Sequence, residues 1–493
     1  MLRRIFSTIA DSTPQMDKSP FKGVHLTGSF GVRRLESLDW LHSMSVCFPL
    51  QAGQIEIITE PQIFYTKLQT LCVNAANRIG IASLYFGTDQ LESQLVKDIE
   101  ENVCKNSQLK VNILIDFTRG TRGEGKKTSS KQILQQIMNS STNTSLSLYH
   151  TPKLRGLKKR VMPDRWNELI GLQHMKIYVA DQTVIISGAN LSNDYFKNRQ
   201  DRYIMINDKH LSDFYYQLIE KVKEFSVQVS SDNKYYTHSK WNMLSYEDDQ
   251  KHFIAQANDS ICKFFAATAD EMKYHGERYC SSNTKIDTWV FPLIEMGQLN
   301  IHHDSVLTEN LLLKAVTNSR INLTTGYFNL TQTYMDTLAT KCQANCDILM
   351  AHPNANGFQG AKGPAGGIPA AYSQISKNFL KKLIECNESE RIKLYEYQRS
   401  GWTYHAKGLW YYLPGSYTPD LTLIGSSNFG ERSVNRDLES QICLVTVNDE
   451  LRRQLQREYV NLKRYCSPAE EELQTRIIPK WVKTAVVFFK NFF

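Results

Sequence analysis

Leu172-Gln173-His174-Met175-Lys176-Ile177-Tyr178-Val179-Ala180-Asp181, followed by Ser187-Gly188-Ala189-Asn190, is the stretch on which the reading of this chain turns. Met175, Ile177 and Val179 alternate with Lys176, Tyr178 and Ala180, which is the period of a β-strand. Residues two apart on a strand share a face, so His174 and Lys176 point the same way. An imidazole beside an ammonium suits attack on a phosphate or stabilisation of one. One such pair is common on surface strands, and its meaning depends on whether the chain holds a second.

It does. Thr403-Tyr404-His405-Ala406-Lys407-Gly408-Leu409-Trp410 repeats the His-x-Lys spacing, and Gly425-Ser426-Ser427-Asn428 follows. From His to Asn is 16 residues in the first copy (174 to 190) and 23 in the second (405 to 428). The seven extra residues fall around Leu413–Asp420, whose Pro and Gly mark an enlarged turn. Beyond each Asn the registers agree again: Asp201 lies 11 residues past Asn190, and Glu439 lies 11 past Asn428.

The repeat extends to the flanks. Phe48-Pro49-Leu50 recurs as Phe291-Pro292-Leu293, each followed by Gly-Gln and a strand-like run. Arg78 to Phe86 matches Arg320 to Phe328, 242 residues later. The apolar run Val111 to Ile115 corresponds to Cys346 to Met350, and Leu146 to Tyr149 to Ile392 to Tyr395. Helix-like stretches such as Gln90 to Val103 and Gln132 to Ser140 lie between. Strand alternating with helix predicts an α/β protein with a parallel or mixed sheet flanked by helices. The boundaries predicted are an N-terminal segment over 1–38, a first half over 39–225 and a connection over 226–285. A second half over 286–465 and a tail over 466–493 complete the chain.

Length allows two or three domains, each with its own core, in these 493 residues. With 41% apolar and 22% charged residues the composition is that of a soluble or peripheral protein, and a net charge of +8 favours anionic partners. Ten cysteines do not make a disulfide framework at this length. Cys342 and Cys346 have no second pair at zinc-ligand spacing. No run of about 18 apolar residues is present to span a bilayer. Met1 to Ala10 carries two arginines and no acid, the composition of a short mitochondrial transit peptide, with an ordinary terminus as the alternative.

His-x-Lys followed by Asp and then Gly/Ser-x-Asn, present twice, resembles the phospholipase D superfamily over roughly Asp39 to Cys466. Gly188-Ala189-Asn190-Leu191-Ser192-Asn193-Asp194-Tyr195-Phe196, Arg199-Gln200-Asp201-Arg202-Tyr203 and Gly425-Ser426-Ser427-Asn428-Phe429-Gly430 are similar to its eukaryotic phosphatidylglycerophosphate synthase branch. So are Arg432-Ser433, Arg436-Asp437-Leu438-Glu439 and the loop Asn356-Gly357-Phe358 with Gly360-Ala361-Lys362-Gly363. The resemblance implies two pseudo-symmetric halves with the active site at their interface. Its implied substrates are CDP-diacylglycerol and glycerol 3-phosphate, and its implied place is mitochondrial, peripheral on the inner membrane. It further implies that Asp201 and Glu439 each act on the other half's histidine. Tyr412 departs from the family pattern by standing where the second Asp belongs. Asp420 is the candidate substitute, so the departure bears on strand anchoring more than on catalysis.

Two imidazoles, with ordinary pKa of about 6.5, divide the work on a phosphoryl centre: one attacks phosphorus and the other donates a proton. His174 is the candidate nucleophile and His405 the acid to CMP and base to the acceptor, with the reverse assignment as the alternative. Lys176, Lys407, Asn190 and Asn428 surround the phosphate oxygens, Asp201 and Glu439 orient the rings, and Asp181 completes the first motif. Neither metal nor cofactor is needed. Arg119, Arg122 and Lys126, in a loop that only partly matches a phosphate-binding Gly-rich motif, are candidates for substrate phosphate, and Ser426 for substrate contact.

Three segments point outward. Lys153, Arg155, Lys158, Lys159 and Arg160 form a basic run for anionic lipid headgroups or plain solvent. The Gly-rich stretch Asn354 to Ala371 is long for a turn and is expected to form a lid. Trp481 to Phe493, aromatic and lysine-flanked, fits an anionic membrane interface or a helix packed on the body. Such aromatic residues favour lipid over nucleic acid. A hydrolase of the same fold and a non-catalytic lipid-binding scaffold are the competing readings.

Overall fold

Strands buried on both faces need nearly continuous apolar sequence, and the runs matched between the two copies supply it. The computed structural model describes residues 19–21, 24–125, 127–156, 159, 167–281 and 285–489. The basic N-terminus, Lys126, Lys158 and Arg160 lie outside the described residues.

Two large sheets result. The first has nine strands in the spatial order β11 (Tyr235–Tyr236), β10 (Val227–Val229), β5 (Thr144–Tyr149), β4 (Lys110–Asp116), β3 (Arg78–Ser83), β6 (Ile177–Ala180), β7 (Thr183–Ser187), β9 (Tyr203–Asn207) and β2 (Ile55–Ile58). The second has ten. Its order is β1 (Phe48–Leu50), β12 (Thr288–Met296), β20 (Leu438–Thr446), β19 (Leu421–Gly425), β18 (Gly408–Tyr412), β14 (Arg320–Thr325), β15 (Asn345–Ala351), β16 (Ile392–Tyr397) and β21 (Cys466–Pro468), with β13 (Ile301–His302) beside β12. A two-stranded parallel pair, β8 (Arg199–Gln200) with β17 (Thr403–Tyr404), joins the halves.

The run β5-β4-β3-β6-β7-β9 matches β16-β15-β14-β18-β19-β20 strand for strand. The first three of each are parallel and the rest antiparallel. Alternation along β6 divides two cores: Ile177 and Val179 join a core shared between the sheets, whereas Tyr178 and Ala180 face the outer layer of the first half. Trp410, Ile442 and Leu444 of the second half belong to the same shared core. Between the sheets lie helices Lys209–Glu224, Gln250–Ser281 and Asp449–Lys463, which contribute Phe214, Phe265 and Leu455 to it. The predicted helices appear as Gln90–Lys105 and Ser130–Ser140 on the outer face.

The repeat is not respected at the chain ends. Both Phe-Pro-Leu copies lie in one sheet, because β1 pairs antiparallel with β12, Phe48 opposite Val290. The helical turns Arg33–Ser43 bury Leu35, Leu38 and Leu41 in the second half's core. Helix Lys480–Phe489 inserts Val482 and Val486 into that core. The second half thus carries segments from both ends of the chain. Among the described residues no helix is long and apolar enough to cross a membrane.

Candidate active site

The halves meet through backbone that runs into each histidine. The His174 N–H donates to Leu438 O (2.8 Å), and Leu438 N–H returns a bond to Leu172 O (2.8 Å). Across the pseudo-dyad, β17 lies along β8 and the His405 N–H donates to Gln200 O (2.8 Å). Each contact sets a histidine beside the residue that precedes the other half's carboxylate. The result is a crossed pair: His174 Nδ1 lies 2.9 Å from both Glu439 oxygens, and His405 Nδ1 lies 2.7 Å from Asp201 Oδ2.

The lysines are fully buried and held by their own motif. Lys176 Nζ donates to His174 O (2.6 Å), and Lys407 Nζ donates to His405 O (3.0 Å) while lying 2.8 Å from His405 Nδ1. Gly188 is required here, since a Cβ would fall 2.6 Å from Asp201 Oδ1 and 2.8 Å from Lys407 Nζ. Asn190 Nδ2 donates to the Tyr195 hydroxyl (3.3 Å), which lies 3.2 Å from His405 Nε2. Among the described residues the buried Oδ1 atoms of Asn190 and Asn428 have no hydrogen-bond partner. Turning either amide over offers an N–H₂ instead, a donor suited to a phosphate oxygen.

Burial presses each ionisable group toward its neutral form. It carries His174 well below its ordinary value, with Lys176 adding to the effect, and does the same to His405 with help from Lys407 and Arg199. Lys176 and Lys407 are lowered by burial against the pull of Glu439 and Asp201 respectively. Burial raises Glu439 to about 7 and Asp201 to about 6, despite the neighbouring lysines. Ser426 and Ser433 both donate to Glu439, so with His174 its ionised form has three donors. An anionic phosphate placed among these groups favours their cationic forms and opposes the effect of burial.

Not every predicted residue is at this centre. Asp181 lies at the far end of β6 with φ of 47°, and its carboxylate accepts from the N–H groups of Ala76 (2.7 Å), Asn77 (2.7 Å) and Arg78 (3.0 Å). It anchors a turn. At the equivalent register in the second half, Tyr412 stacks under Arg320 at 3.9 Å. Asp420 instead closes the enlarged turn by accepting from Leu413 N–H (2.9 Å) and pairing with Arg34 and Arg452. Ser426 donates to Glu439. Arg119 stacks on Tyr85 at 4.2 Å, but it and Arg122 share Glu168 as counter-ion. In the basic run, Arg155 donates to Glu247 O and Lys159 lies over the Tyr246 ring.

The sequence reading missed the aromatic wall over His405. Tyr195 and Tyr327 stand edge-on to its ring, with centroids at 5.1 and 5.4 Å. Phe358, in the Gly-rich segment, lies 5.7 Å from Tyr327, which brings that segment to the site. The repeat held the signal, since Tyr327 is the counterpart of Tyr85 at the shared offset. His174, Asp437 and Glu439 present ligand atoms within 4.8 Å of one another. Arg432 and the Leu172 N–H already occupy Asp437, and the two serines occupy Glu439. This trio is arranged around protons more than around a metal.

The duplicated sheets and crossed histidine–carboxylate pairs define a phospholipase D-like phosphotransfer fold. In keeping with that class, residues 69–225 match the family model described as cardiolipin synthase, PLD-like domain. The Haemophilus influenzae phosphatidylserine synthase structure covers 90% of this chain and 94% of its own at a TM-score of 0.66 and 20% identity, a likeness of fold. The human mitochondrial CDP-diacylglycerol–glycerol-3-phosphate 3-phosphatidyltransferase is 40% identical over 94% of this chain and 86% of its own length. The Saccharomyces cerevisiae enzyme of that name is 35% identical over 87% and 85%. The chain belongs to the CDP-diacylglycerol–glycerol-3-phosphate 3-phosphatidyltransferase family.

Proposed function

We propose that this chain transfers a phosphatidyl group from CDP-diacylglycerol to glycerol 3-phosphate, giving phosphatidylglycerophosphate and CMP. The observation that carries the reading is the crossed pairing: each imidazole is fixed at Nδ1 by the opposite half. Among the described residues His174 Nε2 has no hydrogen bond, whereas His405 Nε2 meets the Tyr195 hydroxyl at 3.2 Å. His174 is therefore assigned the attack.

Its Nε2 lone pair forms a bond to the lipid-side phosphorus as the phosphorus–oxygen bond to CMP breaks, and His405 gives CMP its proton. His405 then removes a proton from the acceptor hydroxyl. That oxygen attacks phosphorus, the phosphorus–nitrogen bond breaks and His174 is restored. Lys176 and Lys407 neutralise the developing charge, with the amide groups of Asn190 and Asn428 as donors. Glu439 and Asp201 keep a proton at each Nδ1, so that Nε2 is the reacting atom. Two displacements give retention at phosphorus, and inversion with a chiral donor would overturn the mechanism. The activity is tested by CMP release with and without glycerol 3-phosphate: release is expected to depend on the acceptor and to be abolished in His174→Ala. Equal release in both conditions would instead support a hydrolase.

The donor is a membrane lipid, and helix Lys480–Phe489 is suited to meet it. Val482 and Val486 pack inward, while Trp481 is 55%, Val487 73% and Phe488 63% exposed beside Lys480 and Lys483. This outer face is assigned to the anionic surface of the mitochondrial inner membrane. Trp481→Ser with Phe488→Ser is expected to abolish sedimentation with cardiolipin-containing vesicles while Val482 and Val486 keep the helix in place. Undiminished sedimentation would refute the assignment.

A further inference from the structure

The two copies of the motif carry one ion pair in opposite sense. Four and nine residues beyond Asn190 stand Asp194 and Arg199; the same distances beyond Asn428 bring Arg432 and Asp437. Both pairs are formed, Arg199 Nη2 to Asp194 Oδ2 at 3.2 Å and Arg432 Nε to Asp437 Oδ2 at 2.9 Å. A pseudo-symmetric site therefore has a cation on one side where it has an anion on the other.

The cationic side is built as a binding site. Arg199 Nε donates to Thr403 Oγ1 (3.0 Å), Nη2 is held by Asp194, and the guanidinium stacks on Tyr195 at 4.6 Å. Its side chain is 13% exposed, and among the described residues Nη1 has no hydrogen bond. Gly357 closes over it: a Cβ there would lie 3.2 Å from Arg199 Nη2 and 3.5 Å from the Tyr327 hydroxyl. Tyr195 and Tyr327 are the rings that flank His405. Asp437, at the corresponding place beside His174, has its carboxylate on the Leu172 N–H (3.0 Å) as well as on Arg432.

We propose that Arg199, with the Tyr327 hydroxyl beside it, binds the phosphate of the acceptor, and that the inverted ion pair places acceptor at His405 and donor at His174. This rests on the phosphatidyl-transfer reading and extends it to how the acceptor is chosen. A three-carbon acceptor carries its hydroxyl and phosphate at opposite ends. With the hydroxyl at His405, the phosphate reaches past Tyr195 to the guanidinium stacked on that ring. Arg119 and Arg122, the cations foreseen for this task, share Glu168 as counter-ion, and Arg119 stacks on Tyr85.

The test compares glycerol 3-phosphate with glycerol, which lacks the phosphate, as acceptors for the full chain and for Arg199→Gln and Arg199→Lys. A charge-assisted contact to phosphate is worth roughly 10- to 100-fold in affinity. Arg199→Gln is expected to lower the ratio of kcat/KM for glycerol 3-phosphate to that for glycerol by about that factor. The loss should appear in the KM for glycerol 3-phosphate, and Arg199→Lys should recover part of it. A damaged fold would lower both acceptors together and leave the ratio unchanged, and an unchanged ratio overturns the proposal. If the unaltered chain releases CMP no faster with glycerol 3-phosphate than without, the transfer reading itself falls.

Discussion

Glu439 links the proposed chemistry to stability through one buried carboxyl. Burial raises it to about 7, whereas its ionised form is what accepts the His174 Nδ1 proton. Activity is therefore expected to fall as pH drops through about 7, with a second contribution near 6 from Asp201. In Glu439→Gln a pH–rate profile should lose the component near 7, and kcat should fall by roughly 10²- to 10⁴-fold. Stability runs in the opposite direction. A carboxyl raised on folding contributes fully below its ordinary value of 4.5 and loses that contribution as pH rises through about 7. The difference in Tm between Glu439→Gln and the unaltered chain should thus move in favour of the variant from about pH 5 to about pH 8. The identity of this carboxylate was legible from equal spacing beyond two Asn residues. Its serine partners were not, because Ser433 reaches it only through the short helix Glu431–Asn435.

The element that best separates motif from mechanism is the β6–β7 turn. Asp181 belongs to the sequence signature, yet its carboxylate meets three backbone N–H groups at the start of β3. Burial opposes its ionisation, but those N–H donors win and hold it below the ordinary carboxylate range. Its contribution to stability is present above that range and lost as pH falls. Asp181→Ala should destabilise the chain by about 1–3 kcal/mol in denaturant melts at neutral pH. CMP release by the folded fraction should stay near its unaltered rate. The second copy dispenses with this anchor by two routes no local reading connects: Tyr412 stacks on Arg320, and Asp420 ties the enlarged turn to Arg34 and Arg452. The offset that aligned β3 with β14 does place Arg320 opposite Tyr412. That a ring there replaces a carboxylate depends on packing across strands. At Gly188, where a Cβ would strike both Asp201 and Lys407, alanine should depress kcat far more than it depresses stability, as parallel rate and melting measurements would show.

For the molecule as a whole, duplication made the order of strands readable, since each half repeats the same apolar runs in the same sequence. It could not reveal that β1 crosses to the second sheet, because Phe48-Pro49-Leu50 carries no mark of which edge it will join. Nor does composition show that the tail helix is half inserted in a core; only the burial of Val482 and Val486 beside exposed Trp481 does so. Both histidines and both orienting carboxylates belong to one chain. Mixing His174→Ala with His405→Ala chains is therefore expected to restore no CMP release at any ratio. Recovery toward a quarter or half of normal activity would mean exchange of halves between molecules.

The crossed pairing also sets when the enzyme comes to life. His174 waits for a partner 265 residues further along the chain, and His405 for one 204 residues behind it. In the proposed mechanism, a first half that has left the ribosome alone holds His174 with nothing to fix its tautomer and no second imidazole to protonate a leaving group. By that mechanism such a fragment is expected to release no CMP from the lipid donor. On the proposed mechanism the chemistry requires both halves folded and closed on one another, so the fold keeps that reactivity silent until then.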